Sequence, residues 1–267
     1  MRLCGLTFRP PRGPVALRCA ALAGALAMLS PSLANAQGVD EFGAYGGMER
    51  TGPTGSPQDF ALELRFGPYP PNVDDEFSGA TPFQDTFGKK KRYLIGLEFD
   101  WQALRIPWVG TIGPAFGLGY TRYKADAFLA GSRSERSEQE TTLTLLPAYA
   151  VAVLRVDFLA RETPIPLAAY GKLGLGYALW SVSDGDGVAD HAGTKGRGAS
   201  YGWQFALGGM FLLDSLDQSS AIEMDNTTGV NNSYFFFEWY RSALDCFGDD
   251  CMHVGTSTWM LGLALEF

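Results

Sequence analysis

The feature that most constrains the fold of this chain is a period-two alternation of apolar residues with small or polar ones. Successive side chains of a β-strand point to opposite faces, so each such stretch predicts a strand with one apolar face. Eight stretches carry the pattern: Phe60–Phe66, Tyr93–Trp101, Ile112–Tyr120, Thr142–Val153, Lys172–Leu179, Tyr201–Phe211, Asn232–Arg241 and Thr258–Phe267. The chain is therefore predicted to be all-β.

The links between these stretches alternate in length. Four are long, polar and rich in Gly, Asp and Ser, and they cover residues 67–91, 124–140, 183–198 and 242–255. The intervening links are mostly shorter, and the one after the sixth stretch has Ser220 and Glu223 at the capping-box spacing of a short helix. This alternation predicts an eight-stranded antiparallel up-and-down transmembrane β-barrel over residues 58–267, with long outer loops and shorter periplasmic turns.

The face opposite the apolar one separates a membrane barrel from a soluble sandwich, which has the same alternation. A sandwich would fill that face with Lys, Glu and Thr for contact with water. Here it carries mostly Gly and Ala, as the lining of a narrow barrel does, so we expect the apolar face to point to lipid. In the fourth stretch this places outward Leu143, Leu145, Tyr149, Val151 and Val153. The seventh stretch is apolar on both faces. If Glu238 points inward, the side chains that point outward are Phe235, Phe237 and Trp239.

A few charges punctuate the inward faces. They are Glu63, Arg65, Glu98, Asp100, Lys172, Glu238 and Glu266. Isolated charges are costly in a lumen of low dielectric, so we expect these side chains to bond to one another. Such a network would either close the lumen as a plug or act as the selectivity filter of a narrow passive channel. With about eight strands, an interior filled by side chains is the expected state.

Residues 1–36 have the composition of a secretory signal peptide. Four arginines lie in the first 18 residues, and an apolar run follows them. Ala34-Asn35-Ala36 then forms a cleavage site before Gln37. Residues 37–57 are rich in Gly and Pro and predict a flexible periplasmic lead-in. Without the signal the chain carries 17 bases against 29 acids, a balance that argues against nucleic acid as a partner. No later segment reaches the ~18 uninterrupted apolar residues of a membrane-spanning helix.

Two cysteines, Cys246 and Cys251, follow the predicted signal. An even pair in an exported protein predicts a disulfide, here in the last outer loop across a turn that contains Gly248.

The first outer loop begins with "GPYPPNVDDEF", in which each proline fixes φ and stiffens the chain. Tyr69 and the acids that follow could present a docking surface for a ligand. The alternative is a rigid loop folded over the barrel mouth, which we favour.

Two outer-loop patterns are weak candidates for chemistry. Asp184, Asp186 and Asp190 have alternate and then wider spacing, as in oxygen-only calcium loops, but lack the bidentate Glu of an EF-hand. Asp190 and His191 form an acid–histidine pair that a surface hydrolase could use, yet adjacent residues of a strand point apart. We therefore predict no metal, no cofactor and no catalytic residues, with the hydrolase as the least favoured alternative.

The last stretch places apolar side chains at alternate positions up to the final residue. These are Trp259, Leu261, Leu263, Leu265 and Phe267. The pattern resembles the carboxy-terminal signal of bacterial outer-membrane β-barrels, which the barrel assembly machinery recognises. The resemblance implies that machinery and outer-membrane lipid as partners, and we expect a monomer.

The segments "ELRFGPYPPNVDDEF", "YGKLGLGYALW", "GVNNSYFFFEWY" and "LGLALEF" together resemble a family of small outer-membrane β-barrel proteins of myxobacterial-type Gram-negative bacteria. Members carry an FGPY-x-P segment followed by an acidic stretch, and the matching residues here are Phe66, Gly67, Pro68, Tyr69, Pro71, Asp74 and Glu76. The resemblance covers roughly residues 58–267. It implies the fold and the outer-membrane location but no assigned activity. We predict a structural, anchoring or surface-interaction role.

Overall fold

The structure is a computed structural model that describes residues 59–88, 92–128, 136–184, 187–191, 194–248 and 251–267. The predicted signal peptide and the predicted lead-in lie outside the described residues. No helix in these ranges is both long enough and apolar enough to cross a membrane.

Eight strands form the body of the molecule. They are β1 (Phe60–Pro68), β2 (Tyr93–Trp101), β3 (Gly110–Phe128), β4 (Arg136–Val156), β5 (Leu167–Ser183), β6 (Arg197–Leu212), β7 (Asn232–Ala243) and β8 (Thr256–Glu266). Each pairs antiparallel with the next along the chain, and β8 pairs antiparallel with β1. The predicted eight-stranded antiparallel up-and-down barrel is confirmed.

The barrel closes at a seam between β1 and β8, where Leu64 lies opposite Leu263. Beyond β8 the backbone of Phe267 continues the ladder: its N–H donates to the Phe60 carbonyl at 2.9 Å. Its carbonyl oxygen accepts from the N–H groups of Asp59 and Phe60 at 3.0 and 3.2 Å. Closure leaves no free edge at the seam, which is the condition for a sheet to lie in lipid.

The connections hold short elements. On one rim the β1–β2 link contains a 3₁₀ turn (Val73–Glu76) and α1 (Pro82–Phe87), and the β5–β6 link pairs Asp190–His191 with Thr194–Lys195. On the other rim lie a short strand (Leu104–Ile106) paired with the start of β3, α2 (Phe158–Glu162) and α3 (Gln218–Thr228).

The prediction that residues 124–140 form a loop was wrong at both ends, and residues 129–135 lie outside the described residues. β3 runs on to Phe128 and β4 begins at Arg136, with pairs such as Lys124↔Thr142 and Asp126↔Glu140. Backbone pairing needs no apolar face, and a hairpin that projects beyond the barrel has none to bury. The alternation that marks the other strands is therefore missing here.

Helix α3 also differs from its prediction, because its N-cap is Asp217 and not Ser220. The Asp217 carboxylate accepts hydrogen bonds from the N–H groups of Ser219 and Ser220 at 3.1 and 3.2 Å. Those serines, whose hydroxyls also donate to it, lower the pKa of Asp217 to about 2. An aspartate is among the strongest N-caps, so the helix starts three residues earlier.

The outward faces match the prediction on most strands: Leu64, Leu97, Leu118 and Leu175 are all about half exposed. Strand β4 is the exception. Four of the side chains predicted to point outward are buried, namely Leu143, Leu145, Val151 and Val153, and Tyr149 also faces the interior. Ala150 and Ala152 point outward instead. The register decides this, because Val153 lies opposite the inward Lys172 of β5.

Candidate functional site: the charged barrel interior

Eight charged side chains meet in the barrel interior, each at most 3% exposed. We call this set the interior network: the bases Arg65, Arg155 and Lys172 with the acids Glu63, Glu98, Asp100, Glu238 and Glu266. The structure thus brings together all seven charges expected from the sequence and adds Arg155. They come from six of the eight strands, so the network exists only in the closed barrel.

Lys172 ties opposite walls together. It lies on β5, and its Nζ donates to Glu63 Oε2 on β1 at 2.7 Å and to Glu98 on β2. Since β5 is four strands away from β1 in either direction, this contact crosses the lumen. The ammonium also lies 4.8 Å from the ring centre of Tyr170, so its other side meets an aromatic face.

Arg65 forms the part of the network nearest the rim that carries the β1–β2 link. Its guanidinium pairs with Glu98 and Glu238 and donates to the Tyr149 hydroxyl. Glu238 in turn accepts from the Tyr170 hydroxyl at 2.8 Å. Two carboxyl groups and a phenol therefore surround one base and offset part of the cost of burying its charge.

Arg155 organises the opposite end. Its Nη2 lies 3.0 Å from Asp100 Oδ2, and its Nη1 bonds to Glu266. Glu266 also accepts from the side-chain amides of Gln102 at 2.8 Å and Asn232 at 3.0 Å. The final acid of β8 is thus held by two other strands and a turn.

Sequence reasoning missed Arg155, although a signal for it was available. An Arg that faces lipid is disfavoured, by roughly 2–4 kcal/mol at the midplane and by less towards the interface where β4 ends, so inward is the favoured parity for Arg155. Applied to β4, this argument would have placed Arg155 inside and, with it, Val151 and Val153.

Glycines make room for the network's tyrosines. A Cβ at Gly117 would lie 2.0 Å from Tyr149 Cζ. A Cβ at Gly208 would lie 2.6 Å from Tyr170 Cζ and 2.7 Å from Glu238 Cβ. These inward positions therefore need glycine, because a larger residue would clash with tyrosine rings that cross the lumen.

Three carboxylates of the network could serve as metal ligands by distance alone. Glu63, Glu98 and Asp100 each bring one oxygen to within 4.8 Å of the others. Lys172 already bonds the first two, and Arg155 bonds the third. The chain thus supplies its own cations at this position.

The β1–β2 link, which is the predicted first outer loop, enters the barrel mouth on its own rim. Tyr69 is fully buried, and its hydroxyl donates to the Val254 carbonyl at 2.9 Å. The loop is fastened to β8 by two further bonds, from Thr256 Oγ1 to the Pro70 carbonyl at 2.7 Å and from Asn72 N–H to the Gly255 carbonyl at 2.8 Å. Tyr69 is therefore part of the packing of the mouth, as the rigid-loop interpretation requires, and not a docking surface.

An apolar cluster fills the space beneath this loop. The Tyr123 hydroxyl donates to the Tyr69 carbonyl, and the rings of Phe83 and Phe87 of α1 stand edge-on to Tyr123 at 5.1 and 5.9 Å. The remaining members are Leu94, Leu143, Leu145, Ala178, Ala206, Tyr240, Leu244, Val254 and Met260. Two voids near the two ends of the interior network measure about 10 Å³ each, room for about one water molecule.

Cys246 and Cys251 form a disulfide in the β7–β8 link, with their Cα atoms 6.2 Å apart. The sulfur bridge closes a turn in which Cys246 and Phe247 have positive φ, a conformation that non-glycine residues rarely adopt.

Replacing both cysteines with serine is expected to lower the free energy of unfolding by about 2 kcal/mol, since the closed loop is short. Urea titration of the purified barrel would measure the change. Reductant should reproduce most of the loss in the native protein and have no effect on the double variant. Equal stability of native and variant would contradict the expectation.

The two outer-loop candidates lie in and beside the β5–β6 link. Asp184 follows β5, Asp190 lies in the two-residue strand beyond it, and Asp186 lies outside the described residues, so the proposed set is not tested as one. Asp190 and His191 occupy consecutive positions of that strand, opposite Lys195 and Thr194.

Comparison with known proteins adds similarities of fold only. No protein-family model matches the sequence, and no curated protein matches it significantly. Among solved structures, the chain is similar to Ail of Yersinia pestis in complex with the heparin analogue sucrose octasulfate, with 14% identity, a TM-score of 0.41 and coverage of 79% of this chain and 97% of that one. It is also similar to OprG from Pseudomonas aeruginosa, with 12% identity, a TM-score of 0.43 and coverage of 80% and 97%. A third similar structure is the N-terminal β-barrel domain of OprF from the same organism, with 12% identity, a TM-score of 0.30 and coverage of 79% of this chain and 98% of that one. The assignment of the fold rests on the strand pairing described above.

Proposed function

We propose that this protein is an outer-membrane β-barrel with a structural, anchoring or surface-interaction role, and that its lumen is closed. The single observation that carries the proposal is the inversion of polarity: half-exposed Leu and Phe side chains cover the outside, and ion pairs cross the inside. A soluble barrel would have the opposite arrangement.

The outward surface supports a position in lipid. Aromatic side chains lie towards both ends of the strands, at Tyr93, Tyr120, Trp203 and Trp259 on the outer rim and at Phe60, Trp101, Phe235 and Phe267 on the other. Such residues favour the two membrane interfaces, with aliphatic side chains between them. The predicted export signal and the terminal alternating run favour the outer membrane over any other bilayer, with lipid and the assembly machinery as partners and no catalytic role.

The closed lumen is supported at two levels. At the centre, Lys172 bridges opposite walls through Glu63 and Glu98. Towards the outer rim, Tyr69 and the first loop pack over an apolar cluster. A solute would have to displace both layers to pass.

The test is conductance of the purified protein in planar bilayers. We expect no steady ohmic current, because ion pairs that cross the lumen leave no continuous hydrated path. The excess of five acids over three bases favours one alternative, a narrow cation-selective channel. Reproducible cation-selective current that is weakened in Glu98→Gln would establish that alternative and overturn the closed barrel.

A further inference from the structure

Four polar residues form a continuous row across four neighbouring strands. The register places Arg122 of β3 opposite Thr144 of β4, Thr144 opposite Ser181 of β5, and Ser181 opposite Arg197 of β6. Neighbouring strands lie about 4.8 Å apart, so the row is about 14 Å long. We call it the arginine row.

The arginine row lies on the outside of the barrel, at the border of the apolar surface. Along β3, Arg122 follows the outward Leu118 and Tyr120 at the same parity. Along β5, Ser181 follows the outward Tyr177 and Leu179. The apolar surface of four adjacent strands therefore ends at a line with two guanidiniums at its ends and two hydroxyls between them.

The two arginines make no close polar contact. Within the part of the chain that the structure describes, neither Arg122 nor Arg197 forms a side-chain hydrogen bond or an ion pair. Further out on the same face, Lys124 and Glu140 pair with each other at 2.9 Å. The hydrogen bond and charge of Lys124, and more weakly the charge of Arg122, lower the pKa of Glu140. Two arginines that bond to no carboxylate beside an apolar surface, in a protein with a net charge of −8, favour an anionic partner.

We propose that the arginine row binds the phosphate-bearing headgroups of anionic lipids in the outer leaflet, an inference that rests on the proposed membrane location. Guanidinium groups match phosphate oxygens with paired N–H donors, and the hydroxyls of Thr144 and Ser181 add donors between them. Basic side chains beside a membrane surface attract anionic lipids. The outward Tyr120 and Leu179 below the row contact the acyl chains of the same lipid.

The geometry favours a lipid over a protein or a free anion. The row continues the lipid-facing surface, so an acyl chain bound below it brings its headgroup to the guanidiniums. Strands of such a barrel tilt by roughly 35–45°, so the row is inclined and its two arginines reach different depths of the headgroup layer.

The test measures lipid selectivity of the full chain in phosphatidylcholine vesicles that contain phosphatidylglycerol. Spin-labelled versions of both lipids report, by electron paramagnetic resonance, which one is held at the protein surface. We expect the native barrel to prefer phosphatidylglycerol and the double variant Arg122→Gln/Arg197→Gln to lose most of that preference. Thr144→Val/Ser181→Ala, which keeps both charges, should lose a smaller part.

The matched control is Arg105→Gln/Arg161→Gln, which removes two charges from the other rim, where both arginines face Asp157. It should keep the native preference. Three results would each overturn the proposal. They are an equal loss in this control, an unchanged preference in the Arg122/Arg197 variant, and removal of the native preference by inorganic phosphate at constant ionic strength. Protection from added protease reports insertion separately: failure to insert would contradict the membrane location, whereas insertion without selectivity would contradict the arginine row alone.

Discussion

Replacing Lys172 with methionine is expected to lower the free energy of unfolding by about 3–5 kcal/mol, the loss typical when one partner of a buried ion pair is removed. Methionine fills a similar volume, so little packing is lost. What changes is that Glu63 and Glu98 lose the ammonium that bonds both of them. The interior network then holds five acids against two bases.

Urea unfolding of the reconstituted barrel, followed by tryptophan fluorescence, would measure this loss. The matched control is Lys195→Met, which makes the same substitution at an exposed position. The double variant Lys172→Met/Glu63→Gln removes one of the stranded charges and should recover part of the stability. If Lys172→Met were no less stable than the control, the cross-lumen ion pairs would contribute nothing to the fold.

Changing Phe267 to aspartate, or deleting it, is expected to prevent assembly in the outer membrane while leaving export intact. Deletion removes three backbone hydrogen bonds at the seam between β1 and β8. The aspartate variant keeps those bonds and changes only a partly exposed side chain, so it isolates the terminal signal that the assembly machinery is proposed to read.

Fractionation of the cell envelope would report both steps. We expect the aspartate variant to lose its predicted signal peptide, as the native chain does, and then to accumulate in the periplasm or be degraded. Phe267→Leu, which keeps an apolar end, serves as the control and should assemble. Native amounts of the aspartate variant in protease-resistant form in the outer membrane would refute the idea.

The faces of most strands were predictable because polarity differed across them. On β5 the outward Leu173 and Leu175 alternate with Lys172 and small residues, so only the face that carries the leucines can lie against lipid. On β4 both faces are apolar over residues 145–154, so polarity does not distinguish them. Assigning the larger side chains to the lipid face gave the wrong parity. The charge of Arg155, one position further, carried the missing information.

The partners within the interior network were not predictable to the same degree. Alternation gives the parity of Lys172 and Glu63, but their contact depends on which residues reach the same height on opposite walls. That height follows from the stagger of all eight strands, which local sequence does not specify. For the same reason the arginine row is visible only once the register across β3 to β6 is known.

The cross-lumen contact of Lys172 with Glu63 has a consequence for how the barrel forms. Before β1 pairs with β8 the sheet is open, and β1 and β5 do not yet face each other. The inward charges of such a sheet stay hydrated. Bonds between neighbouring strands, such as Arg65 to Glu98, can form in the open sheet, whereas those between distant strands, such as Lys172 to Glu63 and Arg155 to Glu266, form only when the walls face each other. The interior network therefore favours the finished ring over a partly assembled sheet.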